Sequence, residues 1–340
     1  MKTCSKFFIG IDVSKPYFDT SLLCVIDQQK QQIQTLRFEN SIQGLKEFHK
    51  WLKKHKVTMN ENTLLVIENT GIYHRLLWAF CCEKNLPIHI GNAAHIKWSF
   101  GIARGKNDRV DSIRLCQYAY RNAEELRSSS ILDPVLLQIQ DLMASRRRLV
   151  SQLNSNKVYL NELKNISNID NRLILERLHR DAIKGISNSI SKIETLLKKI
   201  VSENEKIKKN YDLLISVPGI GHLTAIYIIC CTCNFACRRS GKQLASYAGV
   251  VPFEHSSGIS IKGRNRVSNM ANKELKKMLH LCALSAIQFY PEFKCYFERK
   301  TEEGKHKMSV INAIRNKIVL RAAAVVIKQM PYISKYNILA

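Results

Sequence analysis

The sequence predicts three domains: an α/β domain over residues 1–130, a helical coiled-coil middle over 131–210 and a mainly α C-terminal domain over 211–340. Three observations carry this. Strand-like and helix-like stretches alternate up to about residue 130, then give way to an almost glycine-free run with heptad leucines and isoleucines. Beyond about residue 210 helical patterning returns, interrupted by a Gly-containing turn and a basic segment.

In the first domain, FFIGIDVS, YFDTSLLCVI and IQTLRFEN read as three successive strands of a β-meander, with Pro16 and the polar stretch 27–32 as punctuation. A helix over 43–55 follows. TLLVIENT is then nearly continuously apolar, the pattern of a buried central strand. A helix near 73–84, a strand PIHIGN and helices around 94 and over 108–122 complete the domain. In the middle, Leu142, Leu149, Leu153, Leu160 and Leu163 share a heptad with polar gaps at Arg146 and Asn156. A second set, Ile183, Ile186, Ile190, Ile193, Leu197, Ile200 and Ile207, has Asn204 at the skipped position. Two such segments separated by 165–171 fit an antiparallel hairpin or an intermolecular coiled coil; a plain bundle packed on its own domain is the alternative.

Lys and Arg outnumber Asp and Glu by 53 to 28, a formal net charge of +25. A surplus of that size repels itself unless it meets a polyanion, so nucleic acid is the expected partner class, and a ribosomal or architectural protein fits the number equally well. The N-terminus shows no signal peptide. The longest apolar stretch, 223–237, is broken by Asn234 and too short to span a bilayer, so no membrane role is expected. Eleven cysteines without framework spacing suit a reducing cytoplasm; Cys230, Cys231, Cys233 and Cys237 lie in an apolar helical segment and read as packed thiols rather than zinc ligands.

Four carboxylates stand out. Asp12 ends the first strand and Glu68 the central one, each interrupting apolar sequence where an isolated charge is costly. Asp108 and Asp111, three apart, share one face of a helix amid Arg104, Lys106, Arg109 and Arg114. Taken singly, each has a bland reading as a turn, surface or solvated-helix residue. Together they are the hard oxygen donors that a two-metal phosphodiester site requires.

The order D…E…DxxD on this strand pattern resembles the ribonuclease H-like, Holliday-junction-resolvase-like domain of DEDD-type insertion-sequence transposases, a group that includes the Piv-type DNA invertases. The resemblance implies that Asp12, Glu68, Asp108 and Asp111 bind Mg²⁺. It extends over nearly the whole chain. VPGIG, with Gly219 and Gly221, resembles the phosphate-binding turn of a helix-hairpin-helix, a plain helix-connecting turn being the alternative. The block LASYAGVVPFEHSSGISIKGRNRVSNMANKELKKMLHLCALSA resembles the family's C-terminal signature, in which the serine before glycine is the nucleophile; here that is Ser257, with Ser256 one residue earlier. Without the resemblance this Ser-Ser-Gly reads as a flexible loop. Lys262, Arg264, Arg266, Lys273 and Lys276 supply cations beside it for a phosphoryl group. Two positions depart from the family pattern: Ala271–Asn272 stands where Gly-Asn is usual, and Lys276 where arginine is common, which keeps the charge but loses the bidentate fork.

The resemblance implies a cytoplasmic transposase that moves DNA by serine-mediated strand exchange. Its partners would be element ends and target DNA, a guide (bridge) RNA, and further copies of itself in a dimer or tetramer. Two other readings stay open: a metal-dependent junction nuclease without a covalent step, and a nucleic-acid-binding scaffold without turnover.

Overall fold

The computed structural model describes residues 5–69, 71–100, 107–129, 133–165, 169–236, 240–257, 261–267 and 270–333, with backbone alone over 254–257 and 261–266. Arg104, Lys106, Cys237 and Gly258 lie outside the described residues. The chain divides into two compact units, Met1–Ile131 and Leu132–Ala340.

The first unit is built on a mixed sheet. Strands β1 (Ser5–Val13), β2 (Tyr17–Ile26), β3 (Gln29–Lys30) and β4 (Gln34–Glu39) precede helix α1 (Ile42–Lys54); β5 (Thr63–Glu68), α2 (Arg75–Glu83), β6 (Ile88–Gly91), α3 (Ala93–Ser99) and α4 (Asp108–Arg121) follow. The order across the sheet is β3-β2-β1-β5-β6, with β4 also pairing β2. β1 is antiparallel to β2 and parallel to β5, and β5 is parallel to β6. The meander turns tightly after β1 because Ser14 closes on Tyr17, its Oγ donating to the Tyr17 carbonyl at 2.6 Å.

Strand alternation gives the sheet two different faces. Phe18, Phe38 and Phe48 pack edge-on or stacked on one side, with Trp51 of α1 against Phe38 and Phe48. Each fully buried aromatic of this kind contributes roughly 1.5–3 kcal/mol. On the other side Phe8, Leu23 and Val66 meet Leu115, Cys116 and Ala119 of α4. Gly10 lies under that helix. A Cβ on Gly10 would stand 2.0 Å from the Cys116 nitrogen and 2.2 Å from the Ser112 carbonyl oxygen, so only glycine allows α4 to lie this close to β1. Cys116 Sγ donates to the Phe8 carbonyl at 3.1 Å, and the Ser21 and Ser112 hydroxyls share a buried hydrogen bond of 2.7 Å.

The second unit opens with α5 (Pro134–Glu162), a 3-10 turn and α6 (Ile169–Glu203), then α7 (Glu205–Ile215), α8 (His222–Cys231), α9 (Gly241–Tyr247), β7 (Pro252–Ser257), β8 (Ile261–Val267), α10 (Lys273–Phe289), α11 (Pro291–Glu302) and α12 (Lys307–Lys328). α5 and α6 lie antiparallel: Arg146 reaches Glu194, and farther out Asn156 Oδ1 meets His179 Nδ1 at 2.9 Å. The polar heptad positions Arg146 and Asn156 thus bridge the pair. The roots of both helices, at Leu136, Ile139, Leu197 and Val201, belong to the same core as α7–α12. Asn204 is not a heptad position; it caps α7, accepting from the Ile207 N–H at 3.1 Å, and so breaks what reads in sequence as one continuous repeat. A second difference lies around Ser256 and Ser257, which with the basic stretch after them read as a loop in sequence, whereas Pro252–Ser257 and Ile261–Val267 pair as antiparallel strands. Their composition is charged and polar, so no apolar alternation announces them. Among the described residues no helix is long and apolar enough to cross a membrane.

Candidate active site

Period-two geometry decides where the acidic residues point. Phe8 and Gly10 of β1 face α4, so Asp12 faces the same way; Val66 does so on β5, and hence so does Glu68. Ile11 lies opposite Ile67 in the parallel register, so Asp12 and Glu68 are each the next residue at the end of adjacent strands. Asn107 caps α4 through the Arg109 N–H, which puts Asp108 and Asp111 in the first helical turn, where the helix dipole favours negative charge. All four acids therefore converge on one end of the α4 face.

Their mutual influence is visible on Asp12, whose carboxyl is pushed up to about 6, first by burial and then by Asp108, Asp111, Glu68 and Asp19. The last of these is absent from the sequence reading. Asp19 is directly opposite Asp12 in the β1–β2 register and is 6% exposed. Its counter-ion is Arg37, opposite it on β4, which donates from Nη2 at 2.8 Å and from Nε to both carboxylate oxygens at 3.2 Å. Arg37 also stacks over Tyr17 and comes within 3.8 Å of Asp108. Asp111 is held by Arg114 at 2.7 Å. Among the described residues no three Asp, Glu, His or Cys side chains gather into a ready-made metal site, two of the acids being turned toward arginines. The donor set is nonetheless all carboxylate oxygen, and the crowding of negative charge on Asp12 is the electrostatics that a hard divalent cation relieves.

In the second unit, Ser257 is the last residue of β7, paired with Ile261, and Ser256 is paired with Lys262 across the hairpin. Arg264 lies on β8, and Arg266 pairs with Phe253. Lys273 begins α10 and Lys276 lies in its first turn. The helix is capped by Asn272, whose amide is the hub of this end. Its Oδ1 accepts from the Leu275 N–H at 2.9 Å and from Tyr227 Oη at 3.2 Å, while Nδ2 donates to Tyr247 Oη at 2.9 Å. Gly219 and Gly221 sit in the α7–α8 turn. Gly219 has φ +85°, and a Cβ there would meet the Cys282 carbonyl oxygen at 2.5 Å, so packing against α10 by itself requires that glycine; around Gly221 the space is open.

Residues 9–166 match the transposase family model DEDD_Tnp_IS110, and residues 211–298 match that of the transposase IS116/IS110/IS902 family. The chain belongs to the IS110 family of transposases. It is 29% identical over 334 residues to pilin gene-inverting proteins of Moraxella bovis and Moraxella lacunata, covering 96% of this chain and 98% of each relative. It is also 24% identical over 279 residues to the transposase for insertion sequence element IS1111A of Coxiella burnetii, 74% of this chain and 70% of that one. Together these similarities indicate an enzyme of DNA recombination.

The two matched stretches of this IS110-family chain contain the acidic constellation and the serine hairpin respectively. Asp19 and Arg37 were legible in principle: a tight turn at Ser14–Tyr17 fixes the meander register, and the register alone opposes Asp12 to Asp19 and Asp19 to Arg37. Asn272 carried a helix-cap signal, but its partners Tyr227 and Tyr247 lie 45 and 25 residues away, where no local pattern points.

Proposed function

We propose that this protein is an insertion-sequence transposase that exchanges DNA strands through a covalent phosphoserine at Ser257, assisted by Mg²⁺ at Asp12, Glu68, Asp108 and Asp111. The observation that carries the reading is the convergence of those acids at one end of the α4 face, in keeping with the upward shift of Asp12, in a chain of a transposase family. The strand order, three antiparallel strands continued by two parallel ones, supports a ribonuclease H-like domain. At the carboxylates, bound Mg²⁺ supplies charge neutralisation to the phosphate and the leaving oxygen.

The chain's own residues do the rest. Ser257 Oγ forms a bond to phosphorus as the bond to the sugar oxygen breaks, and the hydroxyl proton ends on the leaving sugar oxygen. The phosphoserine diester keeps the bond energy until a sugar hydroxyl of a new strand attacks and releases the serine. Lys262, Arg264, Arg266, Lys273 and Lys276, with the turn at Gly219 and Gly221, hold backbone phosphates. Strand choice rests with a guide RNA that pairs with element ends and target DNA, and a net charge of +25 suits backbone binding of such large polyanions. The enzyme works as a homo-oligomer through the outer part of the α5–α6 pair, where Ile169, Leu173, Ile174 and Leu178 of α6 are exposed apolar side chains that a second copy would cover. Its place of action is the cytoplasm.

The test mixes protein, Mg²⁺, end-joined element DNA and transcript of the flanking non-coding region, and resolves protein–DNA adducts on denaturing gels. An adduct lost in Ser257→Ala and kept in Ser256→Ala is the expected result. Cleavage without adduct, unaffected by Ser257→Ala and lost in Asp12→Ala, would make the protein a metal nuclease.

A further inference from the structure

Arg315 of α12 is buried, at 7% exposure, yet no carboxylate among the described residues pairs with it. Its described side-chain partner is His280 of α10, whose Nδ1 accepts from Nη2, and among the described residues its Nε has no hydrogen-bond partner. Burial pulls the guanidinium below its ordinary value, and burial together with Arg315 does the same to His280. A desolvated cation with one neutral hydrogen-bond acceptor costs stability, and proteins seldom keep one without an anion to receive. Accepting at Nδ1 also fixes the His280 tautomer, leaving Nε2–H as a second donor beside the guanidinium.

The surroundings say which anion. Asn312, one turn before Arg315, donates Nδ2 to the Val250 carbonyl at 2.8 Å and so ties α12 to the foot of the β7–β8 hairpin. The other foot is tied where Asn272 N–H donates to the Tyr247 carbonyl at 2.8 Å. Lys276 precedes His280 by one turn on the same side of α10. A half-exposed lysine, an imidazole N–H and a buried guanidinium thus lie on neighbouring turns near the foot of the hairpin that bears Ser257. Singly charged, oxygen-rich groups repeating along a strand are the fit for such a row.

We infer that Arg315, oriented by His280 and continued by Lys276, is a phosphodiester-binding residue of the second unit, gripping a nucleic-acid backbone at the foot of the β7–β8 hairpin. The inference rests on the reading of this unit as nucleic-acid-binding. It adds a residue beyond the signature block and beyond the second matched stretch, which ends at residue 298.

The experiment measures, on the full chain, melting temperature and the salt dependence of affinity for duplex DNA and, separately, for structured RNA. Wild type is compared with Arg315→Met, Arg315→Lys and His280→Gln. Arg315→Met is expected to keep or raise the melting temperature while weakening binding about tenfold and lowering the slope of log K against log salt by about one. Arg315→Lys keeps the slope with weaker binding, since the charge stays and the fork is lost. Loss on DNA alone or RNA alone names the strand. An Arg315→Met protein that binds with wild-type affinity and slope overturns the inference. So does one that melts earlier or fails to fold, because Arg315 is then a structural residue. Failure of wild type to bind either nucleic acid would instead overturn the functional reading beneath it.

Discussion

Asp12 and Asp19 oppose each other directly across β1 and β2, two carboxylates at one cross-strand position of a buried face. Like charges so placed destabilise a sheet, and here Asp108, Asp111 and Glu68 add to the load. The fold tolerates this because Arg37 neutralises Asp19, leaving Asp12 to bear the excess.

The first prediction follows from the sign of that shift. The Asp12 carboxyl is raised from 3.8 to about 6, so the folded protein holds a proton that the unfolded chain releases between those values. The contribution is fully present below pH 3.8 and is lost as pH rises through about 6. With the partial exposure of Asp12 discounted, metal-free protein should lose about 1 kcal/mol across that window. Asp12→Asn should remove this slope and melt higher than wild type at pH 7.5 without divalent ions, while losing all strand cleavage. Chelator-treated melts from pH 4 to 8 decide it; parallel curves for the two proteins would show that Asp12 does not carry the strain.

Arg37 leads to the second. Arg37→Met strips Asp19 of its bidentate partner and Asp108 of its nearest described cation. The variant should melt lower than wild type in chelator and recover more on addition of Mg²⁺, because a divalent ion then relieves a larger surplus of negative charge. Equal Mg²⁺-induced shifts in the two proteins would detach Arg37 from the acidic site.

Gly10 supplies the third. Its missing Cβ lets α4 lie on β1, and α4 carries Asp108 and Asp111 to Asp12. Gly10→Ala puts a methyl group against helix backbone, which cannot rotate away, so a loss of about 2–3 kcal/mol in urea unfolding is expected. The folded remainder should also need more Mg²⁺ for activity, since the helix must move off the strand. Gly221→Ala, with nothing near its Cβ position, is the clash-free comparison and should lose only the modest N-cap preference for glycine over alanine at the start of α8.

These residues also show how far sequence carries. The strands bearing Asp12 and Glu68 and the helix bearing Asp108 and Asp111 were readable because apolar runs, turn residues and i,i+3 spacing are local. Asp19 and Arg37 required the pairing register, which follows from the Ser14–Tyr17 turn but only once the meander is taken literally. Gly10 beneath α4 could not be foreseen, because the contact joins residues more than a hundred positions apart. The β7–β8 hairpin escaped for another reason: its strands are polar and basic, so hydrophobic periodicity, the usual signal, is missing.

Asn272 yields the last prediction, and here two substitutions separate two jobs. As N-cap it accepts from Leu275 N–H; as hub it links Tyr227 of α8 to Tyr247 of α9. Asn272→Ala removes both, leaving the buried end of Tyr227 without its acceptor, and should cost about 2 kcal/mol. Asn272→Asp keeps an acceptor for Leu275 and Tyr227, suits the positive end of α10, and lets the Tyr247 hydroxyl turn from acceptor to donor, so its cost should stay below about 0.5 kcal/mol. The Asn272 N–H anchors one foot of the hairpin to Tyr247, and the side-chain cap and tyrosine bonds hold that N–H in place, so adduct formation should fall in Asn272→Ala more than its stability loss explains, and remain near wild type in Asn272→Asp. Melting curves and adduct gels on the two variants measure both effects. If the aspartate variant loses adduct formation as completely as the alanine variant while staying folded, the amide nitrogen itself is required, and Asn272 acts on the substrate rather than through the hairpin.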